Sequence, residues 1–480
     1  MGSSRYARLI DEGTARADLV STDQSADQRG RCDMHAKRLW SLWQALLLDI
    51  AWGFTTAGRR RFVEWVTGLA LNVEEHTITQ SLIGLDRVAD WKALEFFAEY
   101  GHWHERLLQW GMAWAVDKAP GRLWHGYRVW AGDDTKVHRS SKDVWGTCTF
   151  HEYTARCPNR AGTVRAHNWV VLGALLENPG QPAWFLPVAG RLYFRKTQLP
   201  ANGEVFRTKC ELLVELARQQ AAVLPGPHLL AFDAGYALRS VVRPLACPSQ
   251  PGTPRIDFVT RLRHDSRLCV LPPAKGQPGR RGPKPKWGRP LPPPRQGGRW
   301  PGPWREGHAW VYGRIRRVRW KEVVCLWRVL GHEVSVQAVV AEVEGYRKRF
   351  TLVSSARGLS GLQVVDLFCA RFRQQDGFRD LKQRLGWEEC RAWTKNPIVR
   401  TSLTLFVTLT ALRLLQFRLQ EEVSDTWWLH PPWNERKTRP SVLDVGRLLW
   451  RHRREIQQHL AAWLEGVEKT ASRGVGEVGM

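Results

Sequence analysis

The chain has 480 residues, 43 % of them hydrophobic and 25 % charged, which is too long for one small module and too apolar for a disordered polymer. Lys plus Arg total 72 against 46 Asp plus Glu, a formal charge of +26; such self-repulsion points to a polyanionic partner, nucleic acid before an anionic membrane surface. Nine cysteines without a Cys-x-x-Cys pair exclude zinc ribbons and a disulfide framework and fit a reducing cytoplasm.

Residues 1–33 are polar and acid-rich and read as a loose tail with no apolar core of a secretory signal. From Met34 to Ala119 the pattern is helical: Leu39, Leu42, Trp43 and Leu46 recur at helical spacing, as do Phe62, Trp65, Val66 and Leu69. Val73 onward reads as a turn entering a short helix capped by Thr77 or Thr79. The region 34–119 is therefore a helical DNA-binding domain of helix-turn-helix type or a plain bundle. From Arg122 the character changes. Short β-type runs at Tyr127–Ala131, His167–Leu176, Ala183–Phe194, His228–Phe232 and Ile256–Leu262, with a helix over Glu204–Ala222, predict an α/β layer with a mixed sheet.

Residues 271–305 are thick with Pro and Gly, and between Pro272 and Lys321 Glu306 is the only acid, so an extended basic loop is expected. Residues 309–353 alternate in β fashion and predict a small antiparallel sheet. A helix follows over Gly361–Gly386, then a long, mostly apolar one over Ile398–Leu419, expected to be buried; the most apolar stretches, Ala45–Ala51 and Leu403–Leu415, each fall short of the ~20 uncharged residues of a membrane span. A last helix over Ser441–Leu464 has Asp444 three residues after Ser441, a capping box. Most of the 26 tryptophans are expected in cores, a few against bases.

Two acids, Asp134 and Asp233, stand where predicted strands end. A charge there is costly unless it binds something, and two carboxylates at neighbouring strand ends can hold a divalent metal. Taken singly, each could as well cap a turn or helix.

The run Asp376-Gly-Phe-Arg-Asp-Leu-Lys-Gln-Arg-Leu-Gly386 resembles the DDE transposases of bacterial insertion sequences, in the subgroup with a Tyr-Arg-Glu-Lys signature. Arg371 stands four before position 375 and Lys382 seven after it, while Phe368 takes the Tyr slot three before Arg371. The resemblance covers most of residues 34–464. It implies an RNase H-like mixed sheet flanked by helices, with catalytic-core segments 122–265 and 354–420. Residues 266–353 then become the basic Pro-rich loop and β-rich insertion, and 421–480 a C-terminal helical region. It implies metal-dependent DNA cleavage and strand transfer, with two magnesium or manganese ions clamping the phosphodiester. The ligands expected are Asp134, which precedes Thr135 as the family's first acid precedes a small or hydroxyl residue, then Asp233, and Asp376 beside Gln375.

Gln375 occupies the family's glutamate position, so no charge stands there, and Asp376 is turned about 100° away on a helix. The catalytic candidates are Asp134, Asp233, Gln375 and Asp376. Two functions follow from them: an active transposase, or a catalytically silent DNA-binding relative. Arg371 and Lys382, about three helical turns apart, are expected to share a phosphate-holding face. Arg280, Arg281, Lys284 and Lys286 in the loop, with Arg317 and Arg319 on one face of a strand, are the further DNA contacts. The implied partners are double-stranded DNA, both transposon ends and target, and a second copy of the chain on that DNA. The implied location is the cytoplasm, against the nucleoid.

Overall fold

The computed structural model describes residues 24–152, 162–199, 204–273, 285–422, 427–428, 430–435 and 437–476. Four helices open the chain: α1 (Gln24–Ile50), α2 (Thr56–Leu71), α3 (Trp91–Tyr100) and α4 (Glu105–Asp117). The first begins inside the segment expected as a loose tail. Thr55 caps α2 by accepting from the Gly58 amide. That helix is buried on every side, by Phe62, Val63, Trp65, Val66 and Leu69, and even Glu64 is enclosed, held by Arg61 at 2.7 Å and Arg87 at 2.5 Å. Between α2 and α3 the chain makes short 3-10 turns at Gln80–Leu85 and Val88–Asp90. No second helix of a helix-turn-helix forms there, and α2 has no face left to enter a groove. This part of the molecule is a bundle.

The strands follow: β1 (Leu123–Trp124), β2 (Tyr127–His138), β3 (Cys148–His151), β4 (Thr163–Leu176) and β5 (Trp184–Tyr193). Helix α5 (Lys209–Ala221), capped by a Thr208/Glu211 box, leads to β6 (His228–Phe232), α6 (Arg239–Ala246) and β7 (Ile256–Arg261). Then come β8 (Leu268–Cys269), β9 (Arg305–Val311), β10 (Arg314–Trp327), β11 (Val336–Val343) and β12 (Phe350–Ser354). Together they make one mixed sheet of 12 strands in the order β3-β4-β2-β6-β7-β12-β11-β10-β8, with β1 beside β2, β5 beside β4 and β9 beside β10. Strand β6 runs parallel to both β2 and β7, and the remaining pairs are antiparallel. The antiparallel strands expected from 309–353 form, and they continue the main sheet: Leu352, Val353 and Ser354 pair with Arg261, Thr260 and Val259.

The expected helix over Gly361–Gly386 is two, α7 (Gly361–Ala370) and α8 (Arg373–Gln383). Beyond them, α9 (Lys395–Glu422) is long and apolar enough to cross a membrane by length and composition, contrary to the expectation, yet its apolar window is wholly buried inside the fold. Three of its buried hydroxyls are satisfied within the core: Thr404 and Thr408 donate to the carbonyls of Arg400 and Thr404, and Thr410 donates to Pro187 of β5. The bundle α1–α4 and strand β5 pack around it. Helices α10 (Val442–Arg451) and α11 (Arg453–Gly476) close the chain, with the expected Ser441/Asp444 capping box in place. Seven of the largest fully buried side chains are tryptophans, Trp43, Trp65, Trp130, Trp169, Trp300, Trp327 and Trp387. Much of the tryptophan excess is core, while Trp52, Trp91, Trp393 and Trp433 are exposed.

Candidate functional site

The sheet register decides which acids meet. Strands β2 and β6 are parallel and paired up to Gly132 opposite Phe232. Asp133 and Asp233 come next, and Asp233 keeps an extended backbone at φ −80, ψ 166. Residues in the same register of parallel neighbours leave the sheet on the same face. Strand β2 does not end at the acids as expected but runs on beside β4 to His138.

Alternation sends Gly132 and Asp134 to the opposite face, toward α5. A Cβ on Gly132 would stand 2.3 Å from Leu213 Cδ1, so a side chain here would push the Leu213 side chain of α5 aside. The Asp134 carboxylate accepts from Lys209 Nζ of α5 at 2.6 Å and from the Tyr236 hydroxyl at 2.9 Å. Burial pushes the Tyr236 hydroxyl up, with Asp134 and Asp133 adding to it, so it stays a donor. Asp134 is thus committed to the α5 face, and the expectation that it pairs with Asp233 is corrected: Asp133 does.

Over Asp133 lies the joint between α7 and α8. Arg371 Nη1 donates to Asp133 Oδ2 at 3.1 Å, and Arg371 Nη2 is 3.8 Å from Asp233 Oδ1. Gln375 Nε2 donates to the same Asp133 oxygen at 3.3 Å. Burial pushes the Asp133 carboxyl up to about 6, against the opposing pull of Arg371. Asp376 is ion-paired with Arg373 at 2.6 Å and Arg379 at 3.0 Å. One step along the helix turns it from the direction of Gln375 toward Arg373 and Arg379, so it is not brought to the other acids.

Arg371 and Lys382 do not share the face of one straight helix, because the helix breaks at Arg371. Lys382 Nζ instead donates to the Lys136 carbonyl at 2.5 Å and lies 3.9 Å from Glu388, and burial lowers its pKa. Arg317 and Arg319 share a face of β10 as expected, but Glu306 holds both, at 2.5 and 3.2 Å. Lys286 is exposed. Arg280, Arg281 and Lys284 lie outside the described residues.

A cleft of about 990 Å³ opens at Asp233, walled by Arg261, Arg263, Arg295, Arg347, Lys348 and Arg349. Arg349 pairs with Glu342 at 2.7 Å and Arg263 with Asp265 at 3.4 Å. Among the described residues Arg261, Arg295, Arg347 and Lys348 have no acidic partner. Sequence reasoning missed these cations. The available signal was the Arg347-Lys-Arg run at a hairpin turn.

Two carboxylates on one face, spanned by a guanidinium standing where a cation would, suit a hard divalent ion. The third contribution is the neutral side chain of Gln375. Among the described residues, no three His, Cys, Asp or Glu side chains gather closely enough to hold a metal ion by themselves. The arrangement offers two acids and one amide beside a basic cleft, and among the described residues it lacks the three acids that clamp two ions. In comparison with known proteins, the chain matches no family model, and no curated protein matches it.

Proposed function

We propose that this chain is a DNA transposase of the DDE type, built on an RNase H-like core, with activity attenuated by glutamine at the third-acid position. The observation that carries the reading is the juxtaposition of Asp133 and Asp233 on adjacent parallel strands, the α7–α8 joint above them, and the basic cleft that ends at Asp233. The order β5-β4-β2-β6-β7, three antiparallel strands followed by two parallel ones, supports the RNase H-like assignment.

Asp133, Asp233 and the side-chain oxygen of Gln375 would hold magnesium or manganese. That ion supplies Lewis-acid polarisation of the phosphodiester and a nucleophilic oxygen. The chain does the rest. Lys209 and Tyr236 grip Asp134 and so fix the backbone that carries Asp133. The cleft arginines bind phosphates, and Arg371 neutralises the acids while no ion is bound. The partner is double-stranded DNA, first the element's ends and then the target. Pairing two ends requires a second copy of the chain, and the setting is the cytoplasm.

A second reading, a silent DNA-binding relative, is favoured by one observation: Gln375 uses its amide as a donor to Asp133 and brings no charge. Cleavage of duplex DNA bearing the element's ends, in manganese, separates the two. The unaltered protein should cut slowly, Gln375→Glu on the order of tenfold or more faster, Asp233→Asn not at all, and Asp376→Ala at the unaltered rate. Cutting by Gln375→Glu alone selects the silent relative. No cutting and no gel shift by any variant rejects both.

A further inference from the structure

The acids of the site already share a cation, and the chain supplies it. The Arg371 guanidinium forks between Asp133 Oδ2 at 3.1 Å and Asp233 Oδ1 at 3.8 Å, with its side chain only 11 % exposed. A guanidinium keeps its charge at every working pH, and its planar fork suits two carboxylates at once. The Phe368 ring lies 5.6 Å away, so one side of the cation is walled. Gln375 adds an amide donor on the same Asp133 oxygen. That places two donors at the oxygen an incoming ion would need.

The hold is incomplete in two respects. Arg371 Nε is buried without a hydrogen-bond partner, and such a group costs stability where it stands. The residue also sits at the joint where α7 ends and α8 begins rather than within a helix. Its side chain is therefore tied mainly by the two acids.

We infer that Arg371 is the resident counter-ion of the Asp133–Asp233 pair, and that a divalent ion binds there only by displacing it. The inference rests on the reading of these acids as a cation site. It adds that the chain itself holds the site closed to metal. Like charges a few ångströms apart repel strongly in a partly dry site, so ion and guanidinium exclude one another. Any anion that draws Arg371 away, a DNA phosphate above all, thereby favours metal entry, and by linkage metal favours that anion.

The test is Mn2+ binding to the full-length protein without DNA, followed by calorimetry and by the electron-spin signal of free Mn2+. Arg371→Gln should bind on the order of tenfold or more tighter than the unaltered chain, and adding Asp233→Asn should abolish the gain. Arg371→Lys keeps the charge but cannot fork to both acids, so a smaller gain is expected; it also serves if the glutamine variant does not fold. Equal affinity in the unaltered and Arg371 proteins overturns the inference. So does a micromolar Mn2+ site in the unaltered protein that Asp133→Asn removes. Because no DNA is used, failure of cleavage leaves this result standing, and equal affinities leave the cleavage experiment to decide the function.

Discussion

Asp366 on α7 carries a charge in the wrong place. Burial pushes its carboxyl up to about 7, repulsion from Glu177 adds to that, and a hydrogen bond from the Trp310 amide opposes it. A folded pKa above the unfolded one means that the native state holds the proton more tightly. The stability from this group is then complete below the usual carboxylate range and is lost as pH rises through about 7. Asp366→Asn, neutral and of the same shape, should be more stable than the unaltered protein at pH above 7, by about 2–4 kcal/mol. The advantage should vanish near pH 4. Urea unfolding across that range checks it; an advantage that does not change with pH would point to packing instead. The choice between Asp133 and Asp134 shows what a local sequence can and cannot reveal. That an acid matters here is visible, because a charge interrupts a β run. Which of two neighbours faces the site depends on pairing with β6, about a hundred residues away, and alternation alone gives two answers.

Among elements, the α7–α8 pair is the instructive case. Its helical periodicity is plain over Gly361–Gly386, but the break at Arg371 and Phe372 has no Pro or Gly to announce it. Both residues are claimed by other parts of the fold: Arg371 by the two acids, and Phe372 by an edge-on contact with Tyr312 at 5.2 Å. Such tertiary ties override propensity, and no local rule registers them. The same holds for β12, whose alternation is legible while its docking on β7 is not. Helix α8 sits low on the sheet because Gly377 faces the Phe185 ring of β5. A Cβ there would stand 2.4 Å from Phe185 Cδ1, inside a ring that is itself buried. Gly377→Ala should therefore lift α8 and cost about 1–3 kcal/mol, despite the better helix propensity of alanine. Thermal unfolding measures that cost. A gain in stability would mean that Phe185 can rotate away freely.

The charge of +26 is the feature that the sequence shows most directly and locates least well. Where the sequence pointed the cations are locally paired, since Glu306 and Glu342 hold Arg317, Arg319 and Arg349 across the β9–β11 face. Four cations without an acidic partner meet in the cleft from three distant segments: Arg261 at the end of β7, Arg295 in the Pro-rich stretch, and Arg347 with Lys348 in the β11–β12 turn. Only the continuous sheet brings them together, which is why composition announces a polyanion without placing it. If DNA follows this cleft toward Asp233, each of these cations releases counterions from one phosphate, and binding weakens with salt accordingly. Arg295→Ala combined with Arg347→Ala should then lower the slope of log affinity against log salt by about 2, roughly one per lost contact. Arg317→Ala, which removes a side chain already paired with Glu306, should change the slope much less. Duplex binding by fluorescence anisotropy over a salt series distinguishes these outcomes. An unchanged slope in the double variant, or an equal change in Arg317→Ala, would move the polyanion path away from the cleft and off the acids it is meant to serve.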